Sequence, residues 1–177
     1  MNLKDFESKN QVSEKDKNEI INFYSLGKLD KAQNKAEQLL KKFPKDPVLY
    51  NLIGAVLSEK NNLNEAIVNY TKSIEMKSDY APAYNSLGVS LQQLEQFDEA
   101  LVHYKQAIKI LPNFAEAHNN LGALYRELNK FDEAILHCKK ALEIKPNFSE
   151  AHNNLGLIFE SAGNLNDAIS HYQEIIK

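Results

Sequence analysis

The sequence predicts an all-α protein, an α-solenoid of five stacked helix pairs, and three observations carry that prediction. The run Ala117-His118-Asn119-Asn120-Leu121-Gly122 returns 34 residues later as Ala151-His152-Asn153-Asn154-Leu155-Gly156. The same offset links Gly54, Gly88, Gly122 and Gly156, and also Ala32, Ala66, Ala100, Ala134 and Ala168. Within each repeat the apolar residues recur at helical spacing, and no alternating run argues for a strand.

The period divides the chain into an N-terminal extension, residues 1–12, and five units at 13–46, 47–80, 81–114, 115–148 and 149–177, the last stopping five residues short. Each unit opens with a first helix, as in Tyr84, Leu87, Gly88 and Leu91. A turn follows, in which Gly27, Asn61, Asn129 and Gly163 share a column that suits a left-handed helix C-cap, whereas Glu95 in the same column does not. The second helix opens on Asp30, Asn64, Asp98, Asp132 or Asn166, where an acidic or capping side chain meets unpaired N–H groups. It continues as in Ala100, Leu101, Tyr104, Ala107 and Ile108, and Pro44, Pro112 and Pro146 close three of these helices. A lone pair cannot cover its own apolar face, so neighbouring pairs must share one core.

Composition narrows the function. The chain has 177 residues, 43% hydrophobic and 25% charged, with a mean hydropathy of -0.49, as in a soluble globular protein. Its longest apolar run, Leu52 to Leu57, is far below the ~20 residues of a membrane span, and the first nine residues do not read as a secretory signal. The net charge of -3 divides into +2 for residues 1–46 and -5 for residues 47–177. A mildly acidic body lacks the basic stripe that neutralises phosphates, so nucleic acid is not an expected partner. Cys138 is the single cysteine and makes no internal disulfide. A cytoplasmic location is the default expectation.

Leu121-Gly122-x-x-Tyr125, Ala134, Ala141 and Pro146 together resemble the tetratricopeptide repeat, and the resemblance extends over residues 13–177. Departures fall in the first unit, where Ile20 replaces the small residue and Glu19 replaces Leu, so that this unit reads as an N-terminal cap. Ala36 and Cys138 also stand where Tyr70, Tyr104 and Tyr172 stand elsewhere; Cys138 reads as a small core residue leaving local slack. The resemblance implies a right-handed superhelix whose first helices line a concave groove for extended peptides.

Helical geometry places a polar arc on each first helix, facing water or a ligand. In the fourth unit it holds Glu116, Asn119, Asn120, Ala123, Arg126 and Glu127, and in the fifth Glu150, Asn153, Asn154, Leu157, Glu160 and Ser161. The earlier units offer Asn51, Ala55, Ser58 and Glu59, then Asn85, Ser86, Val89, Gln92 and Gln93. An Asn amide both donates and accepts, so the column Asn51, Asn85, Asn119 and Asn153, doubled by Asn120 and Asn154, is suited to grip a peptide backbone whatever its side chains. These Asn-Asn-Leu-Gly runs resemble those of the O-linked N-acetylglucosamine transferase superhelix; the competing account is inheritance by duplication. The cation set that the family uses to clamp an acidic C-terminal tail is missing. Glu116, Glu127, Glu150 and Glu160, opposed by Arg126, favour a basic or neutral segment.

No phosphate loop, nucleophilic triad or metal motif appears, and no cofactor or metal is expected. His103, His137 and His171 share one repeat column and His118 and His152 another; equivalents on stacked helices stand ~8–10 Å apart, too far to share a metal at ~2 Å. The function expected is therefore a non-enzymatic scaffold that binds a protein or an extended peptide. The alternatives are the substrate-recognition part of a larger enzyme, such as a glycosyltransferase, sulfotransferase or oxygenase, and a self-assembling scaffold. Ile169, Tyr172, Ile175 and Ile176 on the last helix form an apolar face expected to support a weak homodimer.

Overall fold

The computed structural model of the chain describes residues 12–176. Ten α-helices and no strand lie among them: α1 Glu14–Ser25, α2 Leu29–Lys42, α3 Pro47–Glu59, α4 Leu63–Met76, α5 Ala81–Gln93, α6 Phe97–Ile110, α7 Ala115–Glu127, α8 Phe131–Ile144, α9 Ser149–Ser161 and α10 Leu165–Ile175. Odd-numbered helices are the expected first helices and even-numbered ones the second. By compactness the chain divides into one unit up to Leu94, holding α1 to α5, and another from Glu95, holding α6 to α10.

In the first unit α3 packs against α2 and α4, α5 against α4, and α1 against α2. What sets the closeness of α3 and α4 is Gly54. A Cβ placed there would lie 2.6 Å from the Tyr70 ring, so the ring fills the space that the glycine leaves empty. In α1 and α2 the same two columns hold Ile20 and Ala36, with the sizes reversed, and both are fully buried. The second unit repeats the device. The Tyr172 ring closes on Gly156, and Cys138 Sγ lies 2.5 Å from where a Gly122 Cβ would stand. That position is also 3.1 Å from the Ala134 carbonyl oxygen and 3.2 Å from the Cys138 nitrogen. The slack expected around Cys138 is therefore absent: α7 and α8 have closed over the smaller side chain, as dense interiors do.

The turn column adopts the left-handed conformation throughout, with φ of 67° at Gly27, 60° at Asn61, 58° at Asn129 and 75° at Gly163. In four turns the residue after it donates to a carbonyl five positions back, as from Lys28 to Phe23 at 2.9 Å and from Lys130 to Tyr125 at 2.8 Å. Glu95, which the sequence set apart, takes the same conformation at φ 60°. The cost for a residue with a Cβ is about 1–2 kcal/mol, no more than the gain from burying a single leucine such as Leu91, so packing overrides local preference. Of the two roles expected for the column that opens the second helices, its aspartates take the acidic one. Asp30, Asp98 and Asp132 lie inside the first turn of their helices, and the cap residues before them, Lys28, Gln96 and Lys130, make no side-chain cap bond. Their contribution is to the helix dipole.

Two contacts bear on the start of the fold. Val12, counted with the extension by the 34-residue period, is buried, and its N–H donates to Asp46 Oδ2 at 3.0 Å. Asp46 Oδ1 in turn accepts from Val48 and Leu49 at the start of α3. Glu19 is not idle either, since Lys35 pairs with it at 2.7 Å and with Asp16 at 3.0 Å.

The strained turn gives a direct prediction. Glu95→Gly raises the stability of the protein by about 0.5–1 kcal/mol in thermal denaturation, because glycine reaches this backbone conformation without the Cβ penalty. An unchanged or lower melting temperature contradicts the assignment of strain to this residue.

Candidate functional site

Each unit carries a hollow on its first-helix face. In the first unit a cavity of about 230 Å³ is lined by Ala55, Ser58, Glu59, Asn85, Ser86, Val89 and Gln93, with Tyr24 and Tyr70 completing it. Seven of these nine residues are members of the polar arc derived from the sequence. Burial holds the Tyr70 hydroxyl well above the usual phenol range; Tyr24 adds to this, and hydrogen bonds with Ser86 and Ser58 oppose it. At the rim the Tyr24 hydroxyl reaches Glu59 Oε2 at 3.5 Å.

Beside that hollow lies a second, about 240 Å³, lined by Ile20, Ile21, Tyr24, Leu52, Ala55 and Val56. Sequence reasoning passed over it. The signal was present, because Ile21, Ala55, Val89, Ala123 and Leu157 form one apolar column within an arc otherwise polar. Ile21 is 48% exposed there.

In the second unit a cavity of about 450 Å³ is lined by Asn119, Ser149, Glu150, Asn153, Asn154 and Ile175. The asparagines do not behave alike. Asn153 is exposed, whereas Asn119 and Asn154, expected to face water, are buried, and Asn154 Nδ2 donates to Asn119 Oδ1 at 2.9 Å. The amide columns of adjacent first helices are offset by one residue, which lets a side chain of α9 reach diagonally to α7. Part of the asparagine set is thus consumed in holding first helices together. Asn51, Asn85 and Asn120 are half-buried, and the Asn51 carbonyl oxygen is buried with no hydrogen-bond partner among the described residues.

The charges are also less uniform than expected. Glu116 pairs with Lys145 at 3.7 Å, so Arg126 is not the sole opposing cation, and Glu160 accepts from the Tyr172 hydroxyl at 2.9 Å. Glu127, Glu150 and Glu160 are exposed, while Arg126 is half-buried with its Nε unpartnered among the described residues. Ile169 on α10 and Ile176 at its C-cap are 53% and 84% exposed. Tyr172 and Ile175 are half-buried, Tyr172 because its ring is drawn onto Gly156.

The histidines form a pattern the repeat columns concealed. His118 Nδ1 lies 3.1 Å from His137 Nδ1, and His152 Nδ1 the same distance from His171 Nδ1. The rings that meet belong to different columns, one on each helix of a pair and roughly equidistant from its turn. Comparing each column only with itself could not reveal them. Among the described residues no group of three or more ligating side chains could hold a metal ion. Cys138 is no nucleophile in this setting, since burial pushes its thiol up to about 12, with Arg126 opposing.

Family models described as "Tetratricopeptide repeat" match residues 48–80, 115–148 and 137–170, and one described as "TPR repeat" matches residues 90–127. The chain is a tetratricopeptide-repeat protein, an interaction scaffold by class. No curated protein matches it significantly. Among solved structures it is similar to TTC0263, a thermophilic repeat protein of Thermus thermophilus, at 23% identity and a TM-score of 0.83 over 93% of this chain and 90% of that one. A MamA protein from Desulfovibrio magneticus RS-1 is 19% identical with a TM-score of 0.72, covering 91% of each chain. YrrB, described as a repeat protein with an unusual peptide-binding site, is 22% identical with a TM-score of 0.64, over 98% of this chain and 89% of that one. These likenesses concern the fold. Among the described residues no helix is long and apolar enough to cross a membrane.

Proposed function

We propose that this protein is a non-enzymatic scaffold of the cytoplasm that binds extended peptides, basic or neutral in charge, on its first-helix faces. The observation that carries the reading is that the hollow of each unit is lined by the polar columns of those helices, Asn85 and Ser86 in one and Asn119, Asn153 and Asn154 in the other. The peptide-binding site named for YrrB supports the same ligand class. In the first unit an apolar side chain enters the hollow of Ile21, Tyr24, Leu52 and Ala55, while Asn85 and Gln93 meet the backbone beside it. In the second unit the exposed Asn153 amide pairs with a peptide group, and Glu127, Glu150 and Glu160 attract basic side chains. Asn119 and Asn154 keep the helices that present these groups in register.

Peptides selected from a displayed library and titrated by calorimetry separate these roles. Asn85→Ala and Asn153→Ala each weaken binding by about 0.5–1.5 kcal/mol, and Asn153→Ala, at an exposed position, leaves the melting temperature in place. Asn154→Ala instead lowers stability by about 1–3 kcal/mol, because a buried carbonyl on Asn119 loses its donor. Glu150→Lys combined with Glu160→Lys weakens basic ligands and spares neutral ones. Affinities unmoved by any of these changes contradict the proposal.

Self-association through α10 is a second reading, favoured by the exposure of Leu165, Ile169 and Ile176 at 60%, 53% and 84%. One helix face falls short of the ~800 Å² per partner of a standard interface, so the dimer is weak. Light scattering at rising concentration detects it in the parent and loses it in Ile176→Glu; a parent that stays monomeric throughout rules it out.

A further inference from the structure

One first-helix column performs the same task in four repeats. The Tyr50 hydroxyl donates to the carbonyl oxygen of Pro44 at 3.1 Å and the Tyr84 hydroxyl to that of Ser78 at 3.3 Å, each acceptor lying six residues upstream. His118 Nε2 reaches the Pro112 carbonyl oxygen at 3.0 Å, and His152 Nε2 that of Pro146 at 3.2 Å. A carbonyl only accepts, so Nε2 of both histidines carries the proton and Nδ1 of each neutral ring is bare. That bare nitrogen faces Nδ1 of a second histidine at 3.1 Å, His137 in one repeat and His171 in the next, and these rings must donate through Nδ1–H. The donor rings are held by aromatic neighbours, His137 on Tyr125 and His171 on Phe159, each with centroids 5.6 Å apart.

We propose that the two histidine pairs are proton-operated clasps, confined to the unit from Glu95 onward, that tie the turn ahead of a first helix to the second helix of the same repeat when neutral and open when both rings are protonated. This goes beyond the peptide-binding reading and does not depend on it. One added proton can be accommodated, since a cationic His137 still donates through Nδ1–H. The second removes the acceptor on His118, and two N–H groups of like-charged rings then face each other across a gap made for one hydrogen.

The surroundings set where this happens. Burial, ahead of any charge, holds His118 and His171 below the ordinary histidine range and His137 down to about 4. For His118 the Pro112 hydrogen bond opposes burial, Lys140 assists it and Glu143 opposes it. His118 and Lys105 bear on His137. His171 faces His152 and Lys139, which resist a further proton, and Asp167 and Glu174, which favour it. A histidine in the unfolded chain takes up its proton near pH 6.5, so the clasp contributes fully above that value. For the His118–His137 pair the contribution is lost progressively as the pH falls from there toward about 4, and for the His152–His171 pair as the pH falls below the ordinary histidine range into the lowered range of His171. Tyr50 and Tyr84, in the same column, have no ring nitrogen to protonate, so the first unit serves as an internal control.

Long-range proton–nitrogen correlation spectra of the histidine rings test the parent protein directly. At about pH 7.5 they show His118 and His152 protonated at Nε2 and His137 and His171 at Nδ1. On acidification to about pH 4.5 the protection factor of the Phe148 amide, which donates to the Lys145 carbonyl at 3.1 Å, falls by about tenfold or more, while that of Tyr80, bonded to Lys77 at 3.2 Å, holds. His118→Tyr combined with His152→Tyr, which installs the residue found at positions 50 and 84, removes the fall. Other tautomers at neutral pH, or equal losses at Phe148 and Tyr80, overturn the proposal on the parent alone, whether or not the variant folds.

Discussion

The pairs α1–α2, α3–α4 and α9–α10 depend on how closely their two helices approach, and the structure sets that distance by matching a small residue on one helix against a large residue on the other. Gly54 admits the Tyr70 ring, Gly156 admits Tyr172, and Gly122 admits Cys138 so closely that backbone atoms of α8 also crowd the glycine. The two columns are 16 residues apart in every repeat. Because side chains in a dense interior cannot be resized alone, this pairing fixes the rotation of each first helix, and the rotation decides which residues remain outside.

Those outward residues follow from it. With Gly54 turned toward α4 and Gly156 toward α10, Ala55 and Ser58 of α3 and Glu150 and Asn153 of α9 are left to line the hollows. The same rotation brings the next residues of adjacent first helices within reach of one another, as the buried Asn154–Asn119 bond illustrates. It also sets the aromatic column of Tyr50, Tyr84, His118 and His152 over the turn carbonyls upstream, so that the link into four of the five first helices is held by a side chain and not by backbone alone.

Much of this was legible in the sequence, because a 34-residue period exposes which positions do the same work. The ten helices, the left-handed turn column and most residues of the first-unit hollow follow from period and helical spacing. What escaped was set by contacts between columns. Glu95 looked like an exception to the turn because its own preference opposes that backbone conformation, and only packing overrides it. Asn119 and Asn154 looked solvent-facing because one helix viewed alone has a polar arc there, whereas the neighbouring helix closes over part of it. The histidine pairs join two columns that the period treats separately, and Asp46 anchors Val12 from a position where other repeats carry an aromatic side chain.

The first repeat offers the most direct test, because it holds the matched pair in reverse, with Ile20 large and Ala36 small and both fully buried. Ile20→Gly alone empties a core site and costs about 3 kcal/mol or more, and Ala36→Tyr alone overfills it, costing about 1–3 kcal/mol. If size matching between these columns sets the helix approach, the double variant recovers the arrangement of Gly54 and Tyr70. Chemical denaturation of all four proteins then yields a favourable coupling of about 1–3 kcal/mol. Strictly additive losses would show that the two columns are independent, and that something other than this contact positions the helices.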